Sequence, residues 1–442
     1  MSTASRPNDL GAFWQPFTPN KSYKKRPRIL ARAEGMNYWD ETGRKMLDAS
    51  SGLWCINAGH CRKEIAAAIA AQASELDFAP TFQYGHPKIF QLASRVVELA
   101  PKGLDKVFFG NSGSEAAETA LKIARAYFKT IGQPNRTRFV GRERAYHGVN
   151  YGGLSVGGLP NNARAFGPML DGTQDCLPLQ YDVKKDTFTK GEPEGGEQYA
   201  DALEAIVQKH GPENFAAVIV EPMTGSGGVF PTPRKYLKRL REICDKYGIL
   251  LIYDEVITGF GRLGYAFGAE RYSVTPDMIS FAKGITNGAV PMGGTLATSK
   301  IYDAFTEEHD WSIALFHGYT YSGHPLAAAA GIATLDLYRD ENLFEKGRKL
   351  EPVFADAVHS LKGKPHILDI RNVGLAAAVE LAPVAGAIGK RGYEAMQMLF
   401  HEEGIVPRLS GDTIVLAPAL IATESHVQQI VDAVGKVLDR LN

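Results

Sequence analysis

Three charged residues each follow a short apolar run in the middle of the chain. They are Glu221, Asp254 and Lys283, which follow the runs 215–220, 249–253 and 278–281. Each run is typical of a buried strand, and amphipathic segments separate the runs, so we expect neighbouring parallel strands. The carboxyl ends of such strands meet at one edge of the sheet, where ligands bind. A poorly solvated lysine there has a lowered pKa, which makes its amine a better nucleophile toward an aldehyde.

A second candidate feature is the turn 111–115, which reads Asn-Ser-Gly-Ser-Glu. It lies between a predicted strand at 106–109 and a predicted helix at 115–128. The backbone N–H groups at a helix N-terminus, with the hydroxyls of Ser112 and Ser114, could bind an anion such as phosphate. An ordinary N-cap would use the same residues. The turn alone does not separate these two interpretations.

An amine, a carboxylate and an anion site together are the groups that pyridoxal phosphate (PLP) requires. Lys283 would hold its aldehyde, Asp254 would keep its pyridine nitrogen protonated, and the turn 111–115 would bind its phosphate. The spacing of 29 residues (283 − 254) leaves room for one further strand and its connection. Each group alone also has an ordinary interpretation, as a strand-end lysine, an ion-paired carboxylate or a helix cap. Their combination predicts PLP as the cofactor.

The segment 259–264 has the spacing GxGxxG of a dinucleotide-binding loop. Such a loop opens a helix directly and needs an acidic residue about twenty positions later. Here the following residues 265–268 (Tyr-Ala-Phe-Gly) are a poor helix start, and position 284 is glycine. We therefore interpret the segment as a flexible turn rather than as a nicotinamide site.

An α/β core must position these groups. Alternating strand and helix patterns predict a large cofactor-binding domain at 76–329 with a mostly parallel sheet flanked by helices. The C-terminal part differs, because antiparallel strands are predicted at 366–370, at 375–381 and around 411–412, before a last helix at 424–441. Short strands at 38–40 and 45–48 suggest that both chain ends, 1–75 and 330–442, form one small α+β domain.

Composition excludes several classes of protein. The 442 residues contain 49 Lys and Arg against 49 Asp and Glu, which argues against a basic surface for nucleic acid. No apolar stretch is long enough to span a membrane, and the first ten residues show no secretory signal. The four cysteines lack zinc-like spacing, so we expect no metal and a cytoplasmic location. The basic run at 21–28 is interpreted as a solvated arm.

Six segments together carry a family resemblance that covers nearly the whole chain. They are 111–115, 145–148 (Ala-Tyr-His-Gly), 220–222 (Val-Glu-Pro), 254–262 (Asp-Glu-Val-Ile-Thr-Gly-Phe-Gly-Arg), 282–284 (Ala-Lys-Gly) and 318–325 (Gly-Tyr-Thr-Tyr-Ser-Gly-His-Pro). With these segments the chain resembles the class III (ω-) aminotransferases of PLP fold type I, which implies a seven-stranded sheet in the large domain. The segments 51–54 and 83–87, and Arg408 with 411–413, are similar to the β-alanine–pyruvate branch of that family.

The resemblance implies a role for each matching residue. Lys283 and Asp254 would be catalytic, and Arg408 would bind a substrate carboxylate with its planar guanidinium. Thr320 would reach the phosphate of a second subunit, which implies a homodimer with shared sites, or a tetramer. The other implied cofactor-binding residues are Ser112, Gly113, Ser114, Tyr146, His147, Glu221 and Val256, with Tyr146 and Val256 on opposite ring faces. The implied pocket walls are Phe17, Leu53, Trp54, Phe82 and Tyr146.

One departure from the family narrows the expected substrates. Ornithine and GABA aminotransferases of this family carry a glutamate, in the loop after Glu-Pro, that pairs with the equivalent of Arg408. Here Ser226 follows the segment 221–225, so no acid neutralises the arginine there. We therefore expect transfer of an amino group from an ω-amino acid or amine, such as β-alanine, to pyruvate, with ping-pong kinetics.

Five alternatives stay open at this stage. They are a PLP lyase resembling dialkylglycine decarboxylase, an aminomutase, an amine transaminase that prefers carboxylate-free chiral amines, a dehydrogenase and, least favoured, a catalytically inactive binding protein. The sequence does not rank the individual amino donors.

Overall fold

The computed structural model describes residues 10–305 and 311–441. Residues 1–9, most of the stretch in which the sequence analysis finds no secretory signal, lie outside these ranges. The described strands are β1 (Leu30–Glu34), β2 (Asn37–Asp40), β3 (Lys45–Asp48), β4 (Leu104–Gly110), β5 (Arg138–Arg142), β6 (Cys176–Leu177), β7 (Phe215–Val220), β8 (Met223–Thr224), β9 (Phe230–Pro231), β10 (Leu250–Asp254), β11 (Met278–Phe281), β12 (Gly293–Thr298), β13 (Ile367–Val373), β14 (Ala376–Leu381), β15 (Ile405–Val406), β16 (Arg408–Ser410) and β17 (Thr413–Leu416).

The helices vary from single turns to five turns. Two 3₁₀ turns, Pro212–Asn214 and Lys283–Thr286, and one π-helical turn, Leu399–Glu403, accompany them. The α-helices are α1 (Asn20–Lys25), α2 (Ser51–Trp54), α3 (Lys63–Glu75), α4 (Pro87–Leu99), α5 (Gly113–Thr130), α6 (Tyr151–Ser155), α7 (Pro160–Phe166), α8 (Val183–Asp186), α9 (Glu197–His210), α10 (Tyr236–Tyr247), α11 (Gly268–Tyr272), α12 (Ser299–Asp303), α13 (Pro325–Asp340), α14 (Leu343–His359), α15 (Lys390–Met398) and α16 (Glu424–Leu438).

A seven-stranded sheet forms the centre of the molecule. Its spatial order is β4-β12-β11-β10-β7-β5-β6, and only β12 runs antiparallel to its two neighbours. The strands β7, β10 and β11 are buried along their whole length, as expected for a sheet covered on both faces. The predicted α/β class and mostly parallel sheet are confirmed.

The two chain ends meet in smaller sheets. Strands β1, β2 and β3 form an antiparallel sheet that β15 extends in parallel, with Ile405 opposite Leu47. A separate antiparallel sheet has the order β13-β14-β17-β16. The predicted domain limit near residue 330 falls inside α13. The domain limits remain a prediction.

Membrane-spanning and metal-binding features were also sought. In the described ranges no helix has both the length and the apolar character that crossing a membrane requires. The same ranges contain no group of three or more His, Cys, Asp or Glu side chains suited to hold a metal ion.

Candidate active site

The ends of three adjacent parallel strands bring the three charged residues to one edge of the central sheet. Register fixes this arrangement, because Ile252 of β10 lies opposite both Ile219 of β7 and Met278 of β11. Glu221 directly follows β7, Asp254 ends β10, and Lys283 comes two residues after β11. The sheet therefore gathers an amine and two carboxylates where α/β sheets bind ligands.

Lys283 has an unusual backbone. Its φ of 50° lies in the left-handed region, which residues other than glycine, asparagine and aspartate rarely adopt, and it begins the 3₁₀ turn Lys283–Thr286. Such conformations persist where the surrounding structure holds them, and they cluster at functional sites. Burial lowers the pKa of the Lys283 amine, and the positive charge of Arg408 acts in the same direction, while Cys55 and Asp254 oppose them. The result favours the neutral, nucleophilic form of the amine.

Asp254 is held by a histidine from another loop. Its side chain is buried, and its Oδ2 atom lies 2.7 Å from Nδ1 of His147. Its Oδ1 atom accepts a hydrogen bond of 3.1 Å from the backbone N–H of Val256. His147 is also buried, and its Nε2 atom has no hydrogen-bond partner within the described chain. Asp254 is therefore fixed in orientation by two donors.

Glu221 ties two loops together. Its Oε1 atom accepts a hydrogen bond of 3.2 Å from the N–H of Tyr146, and its Oε2 atom accepts one of 2.9 Å from the N–H of Gly225. Burial raises the pKa of this carboxyl group, and the charge of Asp254 adds to the effect. The carboxylate oxygens thus position the loop of Tyr146 against the loop that leads to Ser226.

The turn before α5 is an N-cap, and it retains free donors. Ser112 Oγ accepts a hydrogen bond of 3.1 Å from the N–H of Glu115, and Ser114 Oγ accepts one of 3.1 Å from Val149. The first N–H groups of α5, at Gly113 and Ser114, have no carbonyl one turn earlier to bind. The structure therefore shows the capping interpretation and leaves N–H groups for an anion as well.

Close packing at Gly113 shapes the candidate anion site at the N-terminus of α5. A Cβ atom added there would lie 2.8 Å from Cγ1 of Val256, so no larger residue fits without a shift. The helix N-terminus, the β-branched Val256, the Asp254–His147 pair and the Lys283 amine thus lie on neighbouring elements. This donor set fits the phosphate, ring and aldehyde of PLP.

Arg408 brings an unneutralised cation to the site. It lies on β16 with a largely buried side chain, and its Nε atom has no hydrogen-bond partner in the described chain. Within residues 10–305 and 311–441, no carboxylate oxygen lies within the 4.0 Å limit of an ion pair with this guanidinium. Burial lowers the pKa of Arg408, while the Tyr146 hydroxyl and the Cys55 thiol counteract that effect. Ser410 Oγ donates a hydrogen bond of 2.8 Å to the carbonyl of Ser226, so the loop with the family departure does contact β16.

The five implied pocket walls comprise one buried residue, the half-buried Tyr146 and three exposed residues. Trp54 is only 2% exposed and packs in a cluster with residues of β14 and β17. Leu53, Phe17 and Phe82 are 58%, 82% and 55% exposed in the single chain. Thr320 is exposed too, in the segment that carries Gly318.

Phe82 and that segment share one surface. A Cβ atom at Gly318 would lie 2.6 Å from Cε1 of Phe82, and both residues line an apolar groove of about 320 Å³ with Phe90 and Phe108. The described chain by itself does not cover this groove. Phe82 and Thr320 therefore lie on a surface rather than in an enclosed pocket.

Sequence reasoning missed three features of the site. The pairing of His147 with Asp254 joins residues 107 positions apart, so spacing gave no signal for it. Cys55 lies near Lys283, and its place directly after the segment 51–54 was the available signal. The segment 259–264 does form a turn, but all six of its residues are buried, which a flexible turn does not explain.

Known proteins resemble the chain over nearly its full length. The family model for class-III aminotransferases matches residues 18–438. An ω-aminotransferase of Caulobacter vibrioides is 53% identical over 435 residues, which cover 98% of this chain and 99% of that protein. The β-alanine–pyruvate aminotransferase of Pseudomonas aeruginosa is 47% identical over 436 residues, or 98% and 96% of the two chains.

Solved structures agree with this assignment. An amine transaminase from an uncultivated Pseudomonas species, in its PLP-bound form, superposes with a TM-score of 0.90 at 35% identity and covers 98% of this chain and 99% of its own. An ω-transaminase of Pseudomonas jessenii gives a TM-score of 0.91 at 32% identity, over 98% and 97% of the two chains. The predicted cofactor, PLP, is confirmed by these relationships. The chain therefore belongs to the class-III aminotransferases, PLP-dependent enzymes of fold type I.

Proposed function

We propose that this aminotransferase moves the amino group of an ω-amino acid or amine of the β-alanine type to pyruvate, forming L-alanine and an aldehyde or ketone. The observation that carries the proposal is the largely buried guanidinium of Arg408, which has no carboxylate partner in the described chain. The Nε atom of this guanidinium has no acceptor, and a substrate carboxylate supplies both acceptors and the opposite charge with matching bidentate geometry. The 47% identity to a β-alanine–pyruvate aminotransferase supports the same substrates.

Lys283 performs the proton transfers. When bound, PLP supplies an aldehyde for attachment and a ring that accepts electrons. Lys283 Nζ would hold the aldehyde, and the same amine, when free, would serve as the general base and acid that takes the proton from the donor carbon. The lowered pKa of Lys283 favours the neutral amine that this base role requires.

The remaining residues would orient the cofactor and neutralise the charges of the cofactor and the substrate. Asp254, oriented by His147, would keep the ring nitrogen protonated, and Tyr146 and Val256 would contact the ring. The N–H groups at the start of α5 would hold the phosphate. Arg408 binds the carboxylate of the donor in one half-reaction and that of the keto acid in the other, so one cation serves both substrates in turn.

A second copy of the chain completes the site in this proposal. Phe82 and Phe90 of the groove are 55% and 67% exposed, Thr320 follows Gly318 by two residues, and exposed apolar side chains that cluster in this way favour an interface. Thr320 then reaches the phosphate of the neighbouring copy. Light scattering of the purified enzyme should give at least twice the mass of one chain, and a monomeric enzyme with full activity would contradict shared sites.

Product analysis tests the proposed substrates. The enzyme with PLP, β-alanine and pyruvate should form alanine in equal amount to the pyruvate consumed, with parallel double-reciprocal plots. A carboxylate-free amine such as 1-phenylethylamine serves as the matched donor. If the enzyme turns over only that amine, it is an amine transaminase. If it releases CO₂, it is a lyase, and if it turns over substrate without a keto acid, it is an aminomutase.

A further inference from the structure

The buried turn 259–264 contains a fully buried cation that the proposed chemistry does not use. Arg262 is 0% exposed, and within the described residues no carboxylate oxygen lies within 4.0 Å of its guanidinium. Burying an unpaired charge is costly unless its hydrogen-bonding groups are satisfied. The contacts of Arg262 therefore show what this charge holds in place.

The guanidinium joins three separate parts of the chain. Its Nη1 atom donates to the carbonyl oxygens of Leu375 and Pro418, at 3.0 and 2.6 Å. Its Nη2 atom donates to Ser51 Oγ and Asn57 Oδ1, at 3.1 and 2.7 Å. The acceptors lie before and after the central sheet in sequence, while Arg262 itself follows β10. The planar fork of an arginine reaches all four acceptors at once.

The segment that Arg262 contacts at Ser51 is strained. Ser51, Gly52 and Trp54 all have positive φ, of 48°, 65° and 65°. Non-glycine residues keep such conformations only where their surroundings over-determine them. Asp48 holds the segment from one side by accepting a hydrogen bond of 2.7 Å from the N–H of Gly52. Arg262 holds it from the other side.

The same segment faces the reacting groups. The Arg262 Cζ atom lies 5.8 Å from the ring centroid of Trp54. Cys55, the next residue, is close enough to Lys283 and Arg408 that both cations counteract the rise in its thiol pKa caused by burial. A shift of this segment would therefore move a wall of the site relative to Lys283.

We propose that Arg262 is a positioning residue for the substrate pocket, which fixes the wall formed by Leu53, Trp54 and Cys55 relative to Lys283. The part that concerns substrates rests on the function proposed above. A lysine at position 262 keeps the charge but presents a single point donor in place of the fork, so it releases part of the strained segment.

Site-resolved alkylation of the PLP-loaded enzyme tests the inference without relying on turnover. Iodoacetamide should label Cys55 at least about fivefold faster in Arg262→Lys than in the original enzyme, by mass spectrometry of the peptides. Two other thiols report on the rest of the fold, because Cys176 is exposed and Cys244 is buried. Both should keep their original rates. Arg136→Lys is the matched control, since Arg136 also donates only to carbonyls and one glutamine oxygen, away from the site.

Kinetics and a second variant complete the test. In Arg262→Lys the KM for β-alanine should rise about tenfold with a smaller change in kcat, whereas a global defect would lower the amount of active enzyme at unchanged KM. Ser51→Ala removes one acceptor of Arg262, together with the hydrogen bond of 2.6 Å that Ser51 Oγ donates to the carbonyl of Ala417. It should give a smaller increase in Cys55 labelling, which keeps the inference testable if Arg262→Lys does not fold. Unchanged Cys55 labelling, or equal acceleration at Cys244, overturns the positioning role.

Failure of the two proposals can be told apart. If the original enzyme does not turn over β-alanine, the proposed substrates are wrong, while faster labelling confined to Cys55 still establishes the positioning role. Faster labelling at unchanged KM for every accepted donor would instead overturn the link to the substrate pocket.

Discussion

The edge of the central sheet and the substrate wall are built in opposite ways. At the sheet edge, parallel strands bring Asp254 and Lys283 together, and His147 and Val256 hold the Asp254 carboxylate. The proposed substrate wall comes from an N-terminal segment, the strained residues 51–55, and it lies near Arg408 of the C-terminal strand β16. There, the Trp54 Nε1 and Arg408 Nε atoms are buried without a hydrogen-bond partner in the described chain.

Under the proposed function, this difference places chemistry and selectivity in separate parts of the chain. Three adjacent parallel strands place the first region, so its geometry tolerates little change. The second region depends on the irregular segment 51–55 and on single side chains such as Arg408, so small substitutions there can alter which donor or acceptor binds. Changes at the sheet edge should therefore abolish turnover with all substrates, and changes in the wall should separate one substrate from another.

The largest effect is expected at Lys283. Lys283→Ala removes both the attachment point and the proton carrier, so kcat should fall by about 10⁴-fold or more with every donor. The variant should still bind PLP, because the α5 N-terminus and Asp254 remain. Steady-state kinetics and cofactor content after denaturation check both points, with the exposed Lys300→Ala as control. A loss below tenfold would show that another group carries the proton.

Asp254→Asn should follow, with a loss in kcat of about 10²- to 10³-fold. The amide cannot neutralise a protonated ring nitrogen, although His147 and Val256 still orient it. A primary isotope effect with donor deuterated at the reacting carbon should grow, because proton abstraction becomes slower. Asp245→Asn on the surface of α10 serves as control, and near-normal activity of Asp254→Asn would remove the assigned role.

Arg408→Met should distinguish substrates rather than abolish turnover. Loss of a charge-assisted contact of about 1.5–3 kcal/mol corresponds to a rise in KM of about 10- to 150-fold for pyruvate and β-alanine. A carboxylate-free amine donor should keep its half-reaction rate, measured by stopped-flow absorbance without keto acid. Equal losses with both donors would place Arg408 in the chemical step and break the division between the two regions.

The smallest effect is expected for Ser226→Glu. The Ser226 carbonyl accepts a hydrogen bond from Ser410, so a glutamate there would bring a carboxylate toward β16 and Arg408. An ion pair worth about 1 kcal/mol would weaken pyruvate and alanine turnover about fivefold. Ser226→Gln is the uncharged control. Unchanged kinetics in the glutamate variant would contradict the view that Arg408 must stay free of an acidic neighbour.

The sequence predicted the first region better than the second. Strands 215–220 and 278–281 were predicted with their exact observed bounds, because continuous apolar runs and flanking helices specify buried parallel strands. The apolar run before Lys283 also predicted that this lysine lies at the end of a buried strand, where its amine is poorly solvated and nucleophilic. Periodicity carries this information locally, within one element.

Contacts between residues far apart in the sequence were not predicted. The His147–Asp254 pair and the four contacts of Arg262 join residues far apart in sequence, and no local pattern encodes them. The glycines of 259–264 also led to a wrong interpretation. They suggested a flexible turn, whereas the turn is buried and packs closely around Arg262.

The absorption spectrum of the purified, PLP-loaded enzyme tests the central claim most directly. The yellow band of the lysine-bound cofactor should bleach on addition of β-alanine without keto acid, and pyruvate should restore it. That result would establish the half-reaction, the donor class and the acceptor together. A yellow enzyme that ignores β-alanine but bleaches with a carboxylate-free amine would contradict the role of Arg408, and a protein that stays colourless with excess PLP would contradict the whole account.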